Sequence, residues 1–292
     1  MANSIGLAEK FLPVLDELYK VSSLTARMDA QTLDFTSGNV VKVLKLSTVG
    51  LGTYSRATGY AAGDVTASWE AFTLANDRGR KFTIDAMDDE ETLGLTFGKL
   101  AGEFVRTAVA PEIDAWRFHK YAQTSSILAA TPATLSATTV LAAIDAAQLA
   151  MDEAEVPAEG RILYVSATVN SFLKAALTRV LSTEKSADRR VVNLDGVDIV
   201  SVPQARFYTK ITLDAGASAS AGGFAKANDG KDLNFMLVHP TAVCQAVKRE
   251  NLKVIAPENN PDADGYLVAF REYHDAFVYE NKVNGIYIHN KA

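Results

Sequence analysis

Acidic residues gather in one run, Asp88-Asp89-Glu90-Glu91, and in a second pair, Glu112 and Asp114. General acid–base chemistry needs two carboxyl groups held in different environments within a cleft. A run at the start of a helical pattern does something simpler: it offsets the positive end of the helix dipole, with Asp88 or Asp85 available as the cap. The four histidines, His119, His239, His274 and His289, are scattered, and none has a second ligand at a recognised metal spacing. Cys244 has no positioned base that would make it a nucleophile, and reads as a small buried hydrophobe. Gly50-Leu51-Gly52 has no helix after it to form a phosphate cradle, and no nucleophile elbow or phosphate loop occurs anywhere. The basic pieces, Arg78-Gly79-Arg80-Lys81 and Arg189-Arg190, suit solvated faces or salt bridges between subunits better than a nucleic-acid site. The sequence therefore points away from an enzyme and offers no cofactor or metal site.

Composition narrows the classes further. The chain has 292 residues, 48% hydrophobic, enough for one elongated or two compact domains. A formal net charge of −6 excludes binding to nucleic acid through a global cationic excess. A single cysteine excludes an intramolecular disulfide and fits a reducing compartment. No basic start followed by an apolar run marks a secretion signal, and no apolar stretch approaches the roughly 18 residues of a membrane span.

The element that must organise the rest is an amphipathic pattern from Asp88 to Gln123. Leu93, Phe97, Leu100, Ala101, Phe104, Val105 and Ala108 recur at helical spacing, and Ile113, Trp116 and Tyr121 continue the stripe. At about 1.5 Å per residue this helix would be roughly 50 Å long. Pro111 inside it predicts a kink near Ala108 to Val109, or a break. Before it, Val40 to Leu46 reads as a strand, and Ser47 to Ser68 is too glycine-rich for a core and too aromatic for a plain linker. Trp69 to Leu74 and Lys81 to Asp85 read as strands joined by a turn at Asn76-Asp77-Arg78-Gly79. Residues 40–85 thus form a long β-excursion, and because a two-stranded ribbon alone is marginal in water, its partner is expected to be another subunit.

After the helix, the small-residue segment Ser125 to Thr139 suggests a domain boundary. A helix is expected over Thr139 to Glu153, a strand over Arg161 to Val165, a helix over Thr168 to Leu177 and a strand over Val197 to Val202. Asp214 to Gly230 reads as a mobile surface loop. Leu233 to Val238 is a buried strand, Thr241 to Arg249 a short helix after Pro240, and the tail four short strands: Leu252 to Ala256, Leu267 to Phe270, Phe277 to Glu280 and Ile286 to Ile288.

This order of segments resembles a tailed-bacteriophage major capsid protein of the HK97-like fold class. The residues that carry the resemblance are the arm ANSIGLAEKFLPVLDELYK, the loop pieces LSTVGLGTYSRATGY and WEAFTLANDRGRKFTID, and MDDEETLGLTFGKLAGEFVRTAVAPEIDAWRFHKYA, which is similar to the family's spine helix. The resemblance spans nearly the whole chain, in patterns of segments more than in invariant residues.

It implies an α+β fold with an N-terminal arm (1–39), an extended β-loop (40–85), a spine helix (86–123) joined to a peripheral domain (233–292), and an axial domain (124–232). The implied function is structural: self-association into capsomers, hexamers and pentamers, and then into an icosahedral shell enclosing double-stranded DNA without sequence-specific binding. Phe11, Leu15, Tyr54, Arg56, Tyr60, Trp69, Phe72 and Arg78 are the candidate interface residues. A separate scaffolding protein and a portal are the implied partners, with assembly in the bacterial host cytoplasm, a place in the virion and no membrane. Some members of the class cross-link through a loop lysine and an asparagine; here Lys42, Lys45 or Lys81 with Asn281 or Asn284 are the conceivable pairs. Two alternatives stand beside this reading: an encapsulin-type nanocompartment subunit enclosing cargo protein, and a soluble enzyme with a pocket in Thr139 to Val202.

Overall fold

The structure, a computed structural model, describes residues 23–28, 39–91, 100, 102–177, 191–216 and 223–292. Among the described residues, thirteen strands fall into a six-stranded sheet, a three-stranded sheet and two two-stranded ribbons. The six-stranded sheet has the order β4 (Leu128–Ala129), β13 (Ile286–Asn290), β10 (Leu233–Val238), β5 (Ile162–Ser166), β7 (Val197–Val202) and β6 (Asn193–Leu194). It is mixed: β5 runs parallel to β7 and β13 to β4, whereas β10 is antiparallel to both its neighbours. All residues of β5 and β10 are buried, because both faces of this sheet are covered.

On one face lies the helix α2 (Ala110–Gln123), whose Phe118 and Tyr121 meet Ile162, Tyr164, Met236, Val238 and Ile288. On the other, α3 (Val140–Glu153) and α4 (Ala167–Ala176) bring Ile144, Ala147, Met151, Val169 and Leu173 onto Leu163, Val165, Phe235 and Leu237. The alternation Ile162, Tyr164 against Leu163, Val165 is the period-two pattern of a strand with two buried faces. Ser166 caps α4, its hydroxyl accepting from the Val169 N–H at 3.3 Å. Strand pairing crosses residue 232, since β10 and β13 share this sheet with β5 and β7.

The three-stranded antiparallel sheet has the order β11 (Val243–Ile255), β12 (Gly265–Val278), β3 (Asn76–Asp85). The β11–β12 hairpin is inserted between β10 and β13, so one chain excursion links the two sheets. One face of the hairpin packs on the helical stretch before α2, where Phe104 meets Phe82 at 4.9 Å and Phe270 at 6.1 Å between ring centroids. Here two expectations are corrected. Thr241 to Arg249 is not a helix: after a 3-10 turn at Pro240–Ala242 the chain enters β11, because pairing with β12 from Val243 onward outweighs the helix propensity of the Ala, Gln and Lys residues. The tail accordingly has two long strands and β13, where four short ones were expected.

The expected turn at Asn76 to Gly79 is also strand, the start of β3. Asn76 bonds His274 at 3.0 Å, the Arg271 Nε donates to Asp77 at 2.9 Å, and Gly79 lets the strands close, since a Cβ there would sit 2.8 Å from the Phe270 carbonyl oxygen. The preceding strand, β2 (Val65–Thr73), pairs with β1 (Val40–Thr48) and not with β3.

In the long helical pattern, α1 (Ala86–Glu91) follows β3 directly, and residues 92–99 and 101 lie outside the described set. From Gly102 to Gln123 the chain is helical without a break, with a π-helical turn at Val105–Val109, where the Ala110 N–H reaches back to the Val105 carbonyl. The wide turn immediately precedes Pro111, a proline tolerated because the local ladder is already reset. The buried stripe of α2 also differs from expectation: it is Ala110, Pro111, Asp114, Ala115, Arg117, Phe118 and Tyr121, while Ile113 and Trp116 are half-buried. Within the expected mobile loop, Phe224–Lys226 (β9) pairs with Ile211–Leu213 (β8), because Phe224 and Ile211 bury against Ala115. Residues 217–222 of that loop lie outside the described set.

Candidate subunit interface

β1 and β2 form a nine-residue-long antiparallel ribbon in full register, from Val40 opposite Thr73 to Thr48 opposite Val65. Its two faces have different fates. Val41, Val43 and Phe72 turn inward onto Leu74, Ala246, Tyr273 and Phe277, and Phe72 stacks on Phe277 at 4.8 Å. The Lys45 ammonium, on the same face, meets Glu280 at 2.6 Å. On the opposite face Leu44 lies beside its cross-strand partner Trp69, with Leu46 and Val65 further out, and all four are exposed, Trp69 to 66%. This is a contiguous apolar strip that none of the described residues covers, a surface of the kind that suits a partner molecule.

The tip between the strands is shaped as well as exposed. Ser55 and Gly59 exchange backbone hydrogen bonds at 3.1 and 2.7 Å, the Ser55 hydroxyl accepts from the Ala57 and Thr58 N–H groups, and Gly59 takes the left-handed conformation that closes the turn. That turn displays Arg56 and sets Tyr54 against Tyr60 edge-to-face at 5.1 Å. Tyr60 is 91% exposed and Leu51 completely so.

The root of the ribbon is fixed to the helix. Asp275, buried on β12, accepts from the Ala75 N–H (3.1 Å), where the ribbon returns to β3, and from the Trp116 indole (2.9 Å), and lies 3.4 Å from the Lys120 ammonium. Nearby, the Arg78 guanidinium donates to Glu112 at 2.6 Å and to the carbonyls of Asp214 and Gly223. Burial lifts the Glu112 carboxyl above its ordinary value even against Arg78, and the Glu112 hydrogen bond raises the Arg78 guanidinium.

Of the expected interface residues, Tyr54, Arg56, Tyr60 and Trp69 are exposed on the ribbon. Phe72 packs inside its own chain, and Arg78 is engaged by its own Glu112. Phe11 and Leu15 lie outside the described residues. Leu44, Leu46 and Val65, exposed on the same face as Trp69, are not among the expected residues. The signal for them was available: in a hairpin they alternate onto the face of Trp69.

Among the described residues no cluster could hold a metal ion. Burial pushes the Cys244 thiol up and lowers His119, His239 and His289 below their ordinary value. A cavity of about 490 Å³ lies between the three-stranded sheet and the π-helical turn, away from Thr139 to Val202; Phe82, Phe104, Ile113 and Phe270 wall it, and Arg78, Arg80, Glu112, Glu272 and His274 also line it. Among the described residues no helix is long and apolar enough to cross a membrane.

His274 supports a prediction about acid. Burial first, and then the neighbouring Arg117, push its pKa down to about 4. The folded state keeps this ring neutral while the unfolded chain takes up a proton near pH 6.5, so stability falls as pH drops from about 6.5 to 4. His274→Gln is expected to flatten that part of the profile by on the order of 3 kcal/mol. Urea midpoints measured from pH 7 to 4 check this, and parallel profiles for the two proteins would count against it.

No family model matches the sequence, and no curated protein matches it either. Solved structures do. A structure from Mycobacterium phage Che8 superposes with a TM-score of 0.70 at 17% identity, over 99% of this chain and 98% of the other. The capsid of cyanophage P-SCSP1u gives 0.69 at 12% identity, over 98% and 93%. The bacteriophage PhiM1 mature capsid is among further phage structures that match. A virus-like particle from Pyrococcus furiosus matches at 0.53 and 11% identity, over 91% and 92%. The chain has the fold of phage capsid structures along nearly its whole length.

Proposed function

We propose that this chain is the major capsid protein of a tailed bacteriophage, many copies of which close into an icosahedral shell around double-stranded DNA. The observation that carries the reading is the likeness to the P-SCSP1u capsid over 98% of the chain. The apolar outer face of the β1–β2 ribbon supports it independently, since Leu44, Leu46, Val65 and Trp69 are exposed and none of the described residues covers them. In this reading the fold is of the HK97-like class. The arm spans 1–39, the extended loop 40–85, the spine 86–123 with the peripheral domain 233–292, and the axial domain 124–232. The subunit is non-enzymatic, and its work is binding energy summed over large interfaces. A scaffolding protein and a portal are its expected partners, and hexamers and pentamers its capsomers.

The Pyrococcus furiosus particle favours a second reading on the same fold, a compartment shell around protein cargo. The contents of purified particles separate the two: nuclease-protected DNA for the first, an enclosed enzyme for the second.

The ribbon tip provides the test. Residues 49–64 can be replaced by Asn-Gly, which closes Thr48 onto Val65 as a two-residue hairpin and leaves the inward contacts of Phe72 intact. The variant is expected to unfold at the wild-type midpoint and to form no closed shells in negative-stain microscopy, where the wild-type chain forms them. Normal shells from the variant would sink the assignment of the ribbon.

A further inference from the structure

The face of the three-stranded sheet turned away from the helix carries an unusual charge. Cross-strand register puts Lys81, Ala269 and Lys253 in one row, Gly79, Arg271 and Asn251 in the next, and Asp77, Tyr273 and Arg249 in the third. The Lys248 ammonium lies over the Tyr273 ring at 5.8 Å, on the same face. Lys81, Arg249, Lys253 and Arg271 are exposed, and Asp77, the acid in these rows, is engaged by Arg271, which holds its carboxyl below the usual range. A strongly cationic platform thus sits on a chain whose formal net charge is −6.

The end of the same sheet is its opposite. The β11–β12 turn and the end of β3 expose Asp85, Glu258, Asp262 and Asp264, none ion-paired among the described residues. The turn has a defined shape: the Asn260 amide donates to the Gly265 carbonyl at 2.7 Å and its oxygen accepts from the Asp262 N–H at 3.2 Å, while the Ala86 N–H bonds the Asp264 carbonyl at 3.1 Å. Lys253 and Lys81 lie four positions or so from this end, ~13 Å along a strand, so a paired sheet cannot fold its own tip back onto its own face.

We propose that the acidic β11–β12 tip of one copy seats on the basic sheet face of a second copy. The occupant is fixed by charge complementarity between two surfaces that every copy carries and that, apart from the Asp77–Arg271 pair, find no opposite charge among the described residues. The contact is heterologous, head-to-tail, and repeats until the rotation closes. It needs multiple copies and in that respect rests on the self-assembly reading, but it uses neither the ribbon nor its apolar strip.

Charge reversal with rescue tests it on the full-length chain. Arg249→Glu with Lys253→Glu, and separately Glu258→Lys with Asp262→Lys, are surface changes expected to leave the unfolding midpoint near wild type. Each pair is expected to lower the assembled fraction in sedimentation velocity at least tenfold, and the quadruple variant to recover most of it. Doubles that assemble normally, or a quadruple as defective as either double, overturn the proposal. If the basic face binds nucleic acid instead, reversal of the tip changes nothing, which also overturns it. Small oligomers that obey the rescue but never close into shells would keep this contact and remove the shell reading. A wild-type chain that stays monomeric removes both.

Discussion

Asp114→Ala is expected to destabilise the subunit by about 3–5 kcal/mol, the range for removing one member of a buried, hydrogen-bonded ion pair. Asp114 has no exposed surface, although it lies on α2 two positions from Glu112, with which the sequence pairs it. Its carboxylate accepts from the Thr25 hydroxyl at 2.7 Å, the Ser23 hydroxyl at 2.9 Å and the Leu24 and Thr25 N–H groups, and pairs with the Arg206 guanidinium at 3.0 Å. One side chain therefore gathers the segment 23–28, the helix and the turn before β8. Alanine removes all of these acceptors at once and leaves the Arg206 charge buried without its carboxylate. Asp114→Asn keeps the volume and one acceptor oxygen, and should cost less. Urea unfolding with unchanged slope measures both, and an alanine variant within 1 kcal/mol of wild type would show that the cluster contributes little net stability.

Phe118→Ala should be comparably damaging for a different reason. Phe118 is fully buried where α2 crosses the six-stranded sheet, edge-to-face with Tyr164 at 5.2 Å and with Phe207 at 4.9 Å. Truncation removes the transfer energy of the ring and leaves a cavity among Tyr164, Phe207 and Met236, side chains held in place by their own strands and turns. The expected loss is about 3–5 kcal/mol, with Phe118→Leu retaining a substantial part. Because these atoms are far from the ribbon's outer face, the alanine variant should lose assembly only in proportion to unfolding. Sedimentation at a temperature well below its midpoint checks that distinction.

The two residues mark the limits of what the sequence makes readable. α3, β7 and β10 appear close to where periodicity puts them, because Val140 to Glu153, Val197 to Val202 and Leu233 to Val238 are uninterrupted runs with one local preference. β11 is different. Thr241 to Arg249 carries helix-forming residues, and only the partner strand some thirty positions later makes it extended. Asn76 to Gly79 has turn chemistry, which pairing with Arg271 and His274 overrides. Asp114 and Arg117 look like the wet face of a helix until residues 23–28 cover them. In the candidate interface, the aromatics within a glycine-rich stretch singled out Tyr54 and Tyr60, and the strand that follows it Trp69. What composition could not say was which side of the ribbon Phe72 takes, a matter of register with its own body.

The insertion of the β11–β12 hairpin between β10 and β13 has a mechanical side. A pull on its tip along the strand axis would load the ladder between β12 and β3 in shear, so that many backbone hydrogen bonds resist together and none can be peeled singly. The β1–β2 ribbon, anchored at its root by Asp275 and Phe277, would instead be loaded as a cantilever, stiff at the base and compliant at Tyr54 and Tyr60. A layer built from such subunits would join a stiff beam to a springy clasp, able to change curvature at the clasp while the beam keeps its length.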